Sequence, residues 1–157
     1  MYLSEVCKII NAGPPVDTNT AGLDGAYVSM KDYKHLTAII QSGVSAGAVS
    51  TITVEKDADG SGVGTAIGFN ARLCSTAYNA AGGDTLAAAT AVAATGQAMS
   101  TTDNTFVVIE LDADELGGAH QWVRVRLSDP GAAQLASIIY ILSGPRYAET
   151  TASTLTV

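Results

Sequence analysis

The sequence predicts an all-β protein, an antiparallel β-sandwich or a jelly-roll-like barrel with an extended N-terminal arm. Segments of apolar and β-branched residues recur along the chain, and several alternate with period two, as half-buried strands do. Turn-forming residues separate these segments at intervals of about 8–15 residues, a spacing typical of sandwiches and barrels. The 157 residues suffice for one domain with a substantial core.

Three stretches divide the chain. Residues 1–24 form the predicted arm, because Pro14-Pro15 and the polar run DTNTAG favour irregular or extended backbone after a short helical turn around residues 6–10. Residues 25–147 form the predicted β-domain. Residues 148–157, AETTASTLTV, are interpreted as a polar tail or a final edge strand.

The predicted strands follow one another from Ala26 onward. They comprise residues 26–30, 35–41, 49–55, 65–78, 104–113, 121–129 and 134–144. In VSTITVE (49–55), Ile52 and Val54 share one face, and the other face carries Thr53 and Glu55. The segment 65–78 is predicted as one strand with Ile67, Phe69, Ala71 and Leu73 on one face. DADEL (112–116) predicts one helical turn between strands.

Residues 82–104 carry conflicting signals. Alanine is the best helix former, so propensity alone favours a helix over residues 86–94. Thr90, Val92 and the glycines flanking the segment favour extended backbone instead. Because the surrounding segments predict antiparallel β-structure, we expect a strand or an extended loop here.

Composition and charge exclude several function classes. The net charge is −7 and no basic cluster occurs, so the chain lacks the electrostatic features of a nucleic-acid-binding protein. No apolar run reaches the roughly 18 residues that a membrane helix needs. An early Glu5 and the missing long apolar region do not fit a secretory signal, so synthesis in a reducing cytoplasm is expected. Two isolated, partly buried thiols are therefore favoured over a Cys7–Cys74 bridge.

The stretch EKDADGSGVG (55–64) raises the question of a ligand site. As a calcium loop starting at Asp57, it has Gly60 at the fourth position and Gly68 where the bidentate glutamate belongs. As a phosphate loop, it reads GxGxG and is followed by a strand-like segment rather than a helix. A β-hairpin loop explains it best, with glycines at positive φ and aspartates accepting turn amides.

Two other patterns suggest catalysis. GVSAG (43–47) matches the nucleophile elbow, with Asp112 or Asp114 and then His120 in the required order, but a strand follows it where the elbow needs a helix. Small residues in a hairpin loop account for the match. Asp112, Asp114 and Glu115 cluster in one short turn that faces solvent by default. We therefore expect no enzymatic activity, no cofactor and no metal.

The strand around Trp122 is a candidate binding surface. Trp122, Arg124 and Arg126 share one face of an alternating segment, and Trp and Arg are enriched at interface hot spots. Solvated strand residues would give the same pattern. Both interpretations stay open at the level of sequence.

Several stretches resemble small virion structural proteins of tailed bacteriophages, a group that includes capsid decoration, or cement, proteins. They are VSMKDYKHLTAIIQSG, NTFVVIELDADEL, VRVRLSDPGAA and SIIYILSGPRY, within about residues 25–147. The resemblance implies a β-sandwich or jelly-roll-like domain that binds the major capsid protein in the assembled, expanded shell. It also implies a homo-oligomer, typically a trimer, on the capsid surface of a virion, made in the host bacterial cytoplasm.

Under that resemblance, the arm is the candidate for reaching a neighbouring subunit, by adding a strand to its sheet edge. Its interface residues are Val6, Ile9, Ile10, Pro14 and Pro15. Arg146 and Tyr147, after the Gly144-Pro145 turn, are candidates to cap the sheet or touch a partner. The alternatives are a head–tail connector, tail or fibre-base component and, in a different class, a small hydrolase or ligand-binding β-barrel.

Overall fold

The computed structural model describes residues 2–146 and Leu155. A short helix, α1, covers Leu3–Val6, and a 3-10 turn covers Ala113–Leu116. The strands are β1 Lys8–Asp17, β2 Leu23–Asp24, β3 Val28–Ser29, β4 Tyr33–Ser45, β5 Thr51–Asp57, β6 Thr65–Ile67, β7 Phe69–Cys74, β8 Thr90–Val92, β9 Gln97–Ala98, β10 Phe106–Asp112, β11 Trp122–Leu127 and β12 Gln134–Pro145.

Two antiparallel sheets pack against each other, which confirms the predicted all-β sandwich. The first sheet has the strand order β1-β12-β4-β10-β7-β8. The second sheet has the order β2-β11-β5-β6, with β3 also paired to β11 and β9 to β5. Strands distant in sequence, such as β12 and β4, therefore lie side by side.

The core forms where alternate side chains of the two sheets meet. In β11, Val123 and Val125 are fully buried, and in β12, Ile138, Tyr140 and Leu142 are fully buried. This period-two burial follows from the pleat of the strand, which sends successive side chains to opposite faces. Burying each large apolar side chain stabilises the fold by about 1.5–3 kcal/mol.

The predicted extended arm over residues 1–24 is not confirmed. Strand β1 pairs with β12 at the edge of the first sheet, and Ile10 and Ala12 are buried in the core. The register shifts on both sides of Gly13, and the second shift falls at Pro14-Pro15, where proline has no amide hydrogen for the ladder. The helical turn covers Leu3–Val6 and overlaps the predicted residues 6–10 only at Val6.

The prediction of one continuous strand over residues 65–78 is wrong. Ile67 ends β6 opposite Val54 in the second sheet, and Phe69 begins β7 opposite Val92 in the first. The chain therefore crosses between the sheets at Gly68. The period-two pattern continues across Gly68, because Ile67 in one sheet and Phe69 in the other are both apolar residues.

The extended prediction for residues 82–104 is confirmed. Strand β8 pairs with β7 at the edge of the first sheet, and β9 pairs with β5 in the second. Val92 and Met99 reach the core. The predicted helical turn at DADEL is confirmed as the 3-10 turn Ala113–Leu116.

Candidate docking surface

The outward-facing side chains of the first sheet, here called the outer face, carry an apolar patch. Across the strands, Ile139 lies opposite Ile39, and Ile39 lies opposite Val108. Ile9 lies opposite Ile141 one row further along the sheet. The apolar patch consists of Ile9, Ile39, Phe106, Val108, Leu135, Ile139 and Ile141, of which Val108 is only 8% exposed.

Several side chains of the apolar patch are open to solvent. Ile9 is 51% exposed, Leu135 is 50% exposed and Ile139 is 39% exposed. The solvent-facing side of an antiparallel sheet is normally polar. A contiguous apolar area on a surface marks an interaction site more often than isolated apolar residues do. The outer face is therefore a candidate interaction surface.

A groove continues the apolar patch at one end. It has a volume of about 410 Å³, and its apolar walls include Leu135, Pro15 and the 74%-exposed Tyr78. Gln41 and Asn104 add polar groups to its lining. Tyr78 lies in the loop after β7. This loop is anchored to the end of β7, because the buried thiol of Cys74 contacts the carbonyl oxygen of Gly83 at 3.3 Å.

A polar cluster lies at the other end of the outer face. His35 on β4 stands opposite Asp112 on β10, and its Nδ1 lies 2.7 Å from Asp112 Oδ1. Its Nε2 contacts Glu110 Oε2, and Thr37 Oγ1 donates to that same oxygen at 3.1 Å. We call His35, Glu110, Asp112 and Thr37 the histidine–carboxylate cluster.

Both ring nitrogens of His35 therefore face carboxylate oxygens. Partial burial of the ring opposes its charged form, but the hydrogen bonds with Asp112 and Glu110 outweigh burial and raise the pKa of His35 above 6.5. Only the imidazolium carries a proton on both nitrogens, so only that form donates to both carboxylates. The cluster thus combines two carboxylates with a histidine that favours the positive charge.

The second sheet presents a different outward surface. Arg124 is 8% exposed and lies over the ring of Tyr27, 4.5 Å from its centroid. Its Nε donates to Glu55 at 2.9 Å, and Arg126 donates to the other oxygen of Glu55 at 2.8 Å. Burial alone would raise the pKa of Glu55, but hydrogen bonds from the two arginines lower it. This network joins neighbouring strands within the chain.

The predicted binding residues occupy different environments. Val6 and Ile9 are exposed, Ile10 lies in the core, and Pro14 and Pro15 are exposed on edge strand β1. On β11, Trp122 is half-buried beside the two paired arginines. Arg146 is exposed, its amide donates to the Asp32 carbonyl at 2.8 Å, and Tyr147 lies outside the described residues. Among the described members of this set, the fold brings Ile9 into the apolar patch and Pro15 into the groove that continues it.

The hairpin interpretation of EKDADGSGVG is confirmed. The loop joins β5 to β6, which pair directly. Asp57 Oδ1 accepts hydrogen bonds from the Asp59 and Gly60 amides, both at 2.9 Å, and Gly60 has a φ of 76°. The Asp59 amide contributes most to holding the pKa of Asp57 below its ordinary value. The carboxylate thus organises the turn.

The GVSAG match lies at the end of β4. Ser45 Oγ donates to the Ala48 carbonyl at 2.9 Å, and the Ser45 amide donates to Asp103 at 2.8 Å. The following loop leads to β5 in the other sheet, so the predicted hairpin loop at this point is wrong. Both cysteines are free thiols, Cys7 half-buried and Cys74 buried.

Within residues 2–146 and Leu155, no three His, Cys, Asp or Glu side chains are arranged to hold a metal ion. No helix in that part of the chain is long and apolar enough to cross a membrane.

Sequence reasoning missed the outer face, although a signal was present. The runs AII (38–40), FVVI (106–109) and IIYIL (138–142) are apolar at consecutive positions. Such runs indicate strands with two apolar faces, and only one of those faces is needed for the core of a two-sheet sandwich. The histidine–carboxylate cluster had no comparable signal, because His35 is 75 residues from Glu110 and 77 from Asp112 in the sequence.

Comparison with known proteins adds no relative: no family model, no curated protein and no solved structure matches this chain.

Proposed function

We propose that this chain is a virion structural protein that binds the assembled, expanded capsid shell of a tailed phage and stabilises it as a decoration protein. The apolar patch on the outer face of the first sheet is the observation that carries the proposal. The proposal also draws on the resemblance of residues 25–147 to small virion proteins. Its partner is the major capsid protein, and the protein acts as a homo-oligomer, a trimer in the simplest arrangement.

The size of the apolar patch favours a shell over a single obligate partner. Strands lie about 4.8 Å apart and outward side chains repeat about every 6.8 Å, so the seven residues of the apolar patch cover about 230 Å². A stable pairwise interface needs about 800 Å² from each partner. One patch therefore binds weakly by itself, and an oligomer that presents several patches to a repeating lattice binds tightly through multivalency.

Stabilisation follows from mass action. A protein that binds the expanded lattice better than the unexpanded one lowers the free energy of the expanded form. The outer face suits this role because β4, β10 and β12 hold the apolar patch on central strands of the sheet. Docking a rigid sheet orders few side chains, which keeps the entropic cost of association low.

A binding assay with expanded shells tests the proposal. The variant Ile139→Lys places a charge at the centre of the apolar patch and is expected to lower affinity at least tenfold. Val63→Lys is the matched control, because Val63 is 81% exposed on the β5–β6 loop, away from the outer face. Equal binding by wild type and I139K overturns docking through this face.

Copy number in purified virions distinguishes decoration from the alternatives. Decoration predicts a copy number comparable to that of the major capsid protein and a lower disruption temperature for virions that lack the protein. About a dozen copies or fewer would place the chain in a connector, tail or fibre base instead. An unchanged disruption temperature would contradict stabilisation.

A further inference from the structure

The histidine–carboxylate cluster lies on the same face as the apolar patch, and its geometry bears on docking. Thr37 and Glu110 share a row with Ile141 across the first sheet. His35 and Asp112 occupy the next row. A partner that covers the apolar patch therefore also covers or borders the cluster.

The protonation state of His35 sets the charge of this part of the face. With the ring doubly protonated, one cation lies between two carboxylates, and each carboxylate accepts a ring hydrogen. When the ring loses a proton, the cluster becomes more negative by one charge, and one carboxylate loses its donor. Covering a carboxylate without a partner is unfavourable, because its hydration is lost without compensation.

The other charged groups near the ring lie at the margin of the histidine–carboxylate cluster. On the outer face, the β12 neighbour of His35 is the uncharged Ser143, and the β7 neighbour of Glu110 is the uncharged Asn70. The cation Arg72 lies one row further along β7, opposite Val108. A hollow beside Asp112 is lined by Lys34, Asp114, Glu115 and Arg146. Arg146 lies 3.9 Å from Asp114, which is almost fully exposed. These charges are of both signs and belong to the margin, whereas Glu110 and Asp112 contact the ring directly.

We propose that protonation of His35 controls docking of the outer face, so that the shell binds the protein whose ring is doubly protonated and releases it as the ring loses a proton. This inference rests on the proposed function. Thermodynamic linkage then requires docking itself to favour the imidazolium form. If docking is linked to this one proton, the dissociation constant rises by up to tenfold per pH unit once the pH exceeds the pKa of His35 in the free protein.

Co-sedimentation with expanded shells between pH 5.5 and 8.5 tests the inference. Wild type is expected to bind more weakly as the pH rises, whereas His35→Gln is expected to bind with an affinity that changes less than twofold. His120→Gln is the matched control and is expected to keep the wild-type response, because His120 lines a different hollow with Lys31 and Gln121. Titration of the shell itself affects all variants equally and cancels in their ratio.

A second variant keeps the test decisive if H35Q folds poorly. Asp112→Asn removes one carboxylate from the ring, and the pH midpoint of binding is expected to move lower than that of wild type. An H35Q or D112N profile identical to that of wild type, or wild-type binding that is independent of pH, overturns the switch and leaves docking intact. Absence of binding by wild type at every pH overturns the proposed function and the switch together.

Discussion

The hydroxyl oxygen of Tyr140 lies 2.7 Å from the backbone nitrogen of Val125 and accepts its hydrogen across the sandwich. Tyr140 projects from β12 of the first sheet and Val125 belongs to β11 of the second. The amide is free for this bond because β2 ends at Asp24 and β3 begins only at Val28. Burial raises the pKa of Tyr140, which keeps the hydroxyl neutral. One hydrogen bond thus joins the two sheets at the point where the strand paired with β11 changes from β2 to β3.

Replacement of Tyr140 by phenylalanine is expected to lower the free energy of unfolding by about 1–3 kcal/mol, because it leaves the buried Val125 amide without an acceptor. Urea denaturation measures the change. Tyr78→Phe is the control, since Tyr78 is 74% exposed and its substitution should change stability little. An equal free energy of unfolding for Y140F and wild type would show that the inter-sheet bond contributes nothing.

Gly25 lies against the same hydrogen bond. A Cβ at this position would stand 2.6 Å from the Val125 carbonyl oxygen and 2.8 Å from the Tyr140 hydroxyl. Gly25→Ala is therefore expected to destabilise the protein by about 1–3 kcal/mol through overpacking. Gly118→Ala, where a Cβ meets nothing within 4 Å, serves as the control in the same thermal or urea experiment. A G25A protein as stable as G118A would contradict the close packing.

Arg124 is the buried cation of the second sheet. Substitution by glutamine removes the charge next to Glu55, which is itself only 6% exposed, and is expected to cost about 3 kcal/mol of stability. Arg72→Gln provides an exposed strand arginine as the matched control, with an expected change near zero. If both variants lose the same stability in urea denaturation, the buried pairing is not the cause.

The histidine–carboxylate cluster predicts a pH dependence of folding that does not involve any partner. Because the folded pKa of His35 is raised above 6.5, its contribution to stability is fully present below that unfolded value. The contribution is lost as the pH rises through the folded pKa. We expect the difference in unfolding free energy between wild type and His35→Gln to shrink over this interval. A constant difference from pH 5.5 to 9 would contradict the raised pKa.

Local patterns predicted much of the fold. The alternation in VSTITVE and VRVRL identified β5 and β11, and the turn chemistry of Asp57 and Gly60 identified the hairpin between β5 and β6. These features are local, since the pleat and the allowed φ angles act over a few residues. For the alanine-rich segment, the β-structure predicted for the neighbouring segments was a better guide than the helix propensity of alanine, since the segment forms β8 and β9.

Errors arose where pairing over long distances decides the structure. Pro14-Pro15 suggested a free arm, but the edge of the first sheet accepts residues 8–17 as a strand with register shifts around Gly13. Likewise, nothing local in residues 65–78 reveals that the two halves pair with different sheets. Each outcome depends on a partner strand far away in the sequence.

By itself, the sequence determined the all-β class, the main strands and the hairpin loop, because hydrophobic period and turn chemistry are encoded over short spans. Only the tertiary structure decided which faces are covered. Val125 and Ile138 became core because the two sheets meet there, whereas Ile139, on the opposite side of the first sheet, stayed 39% exposed. His35 met Glu110 and Asp112 through the β4–β10 register, since cross-strand contact is set by pairing and not by proximity along the chain.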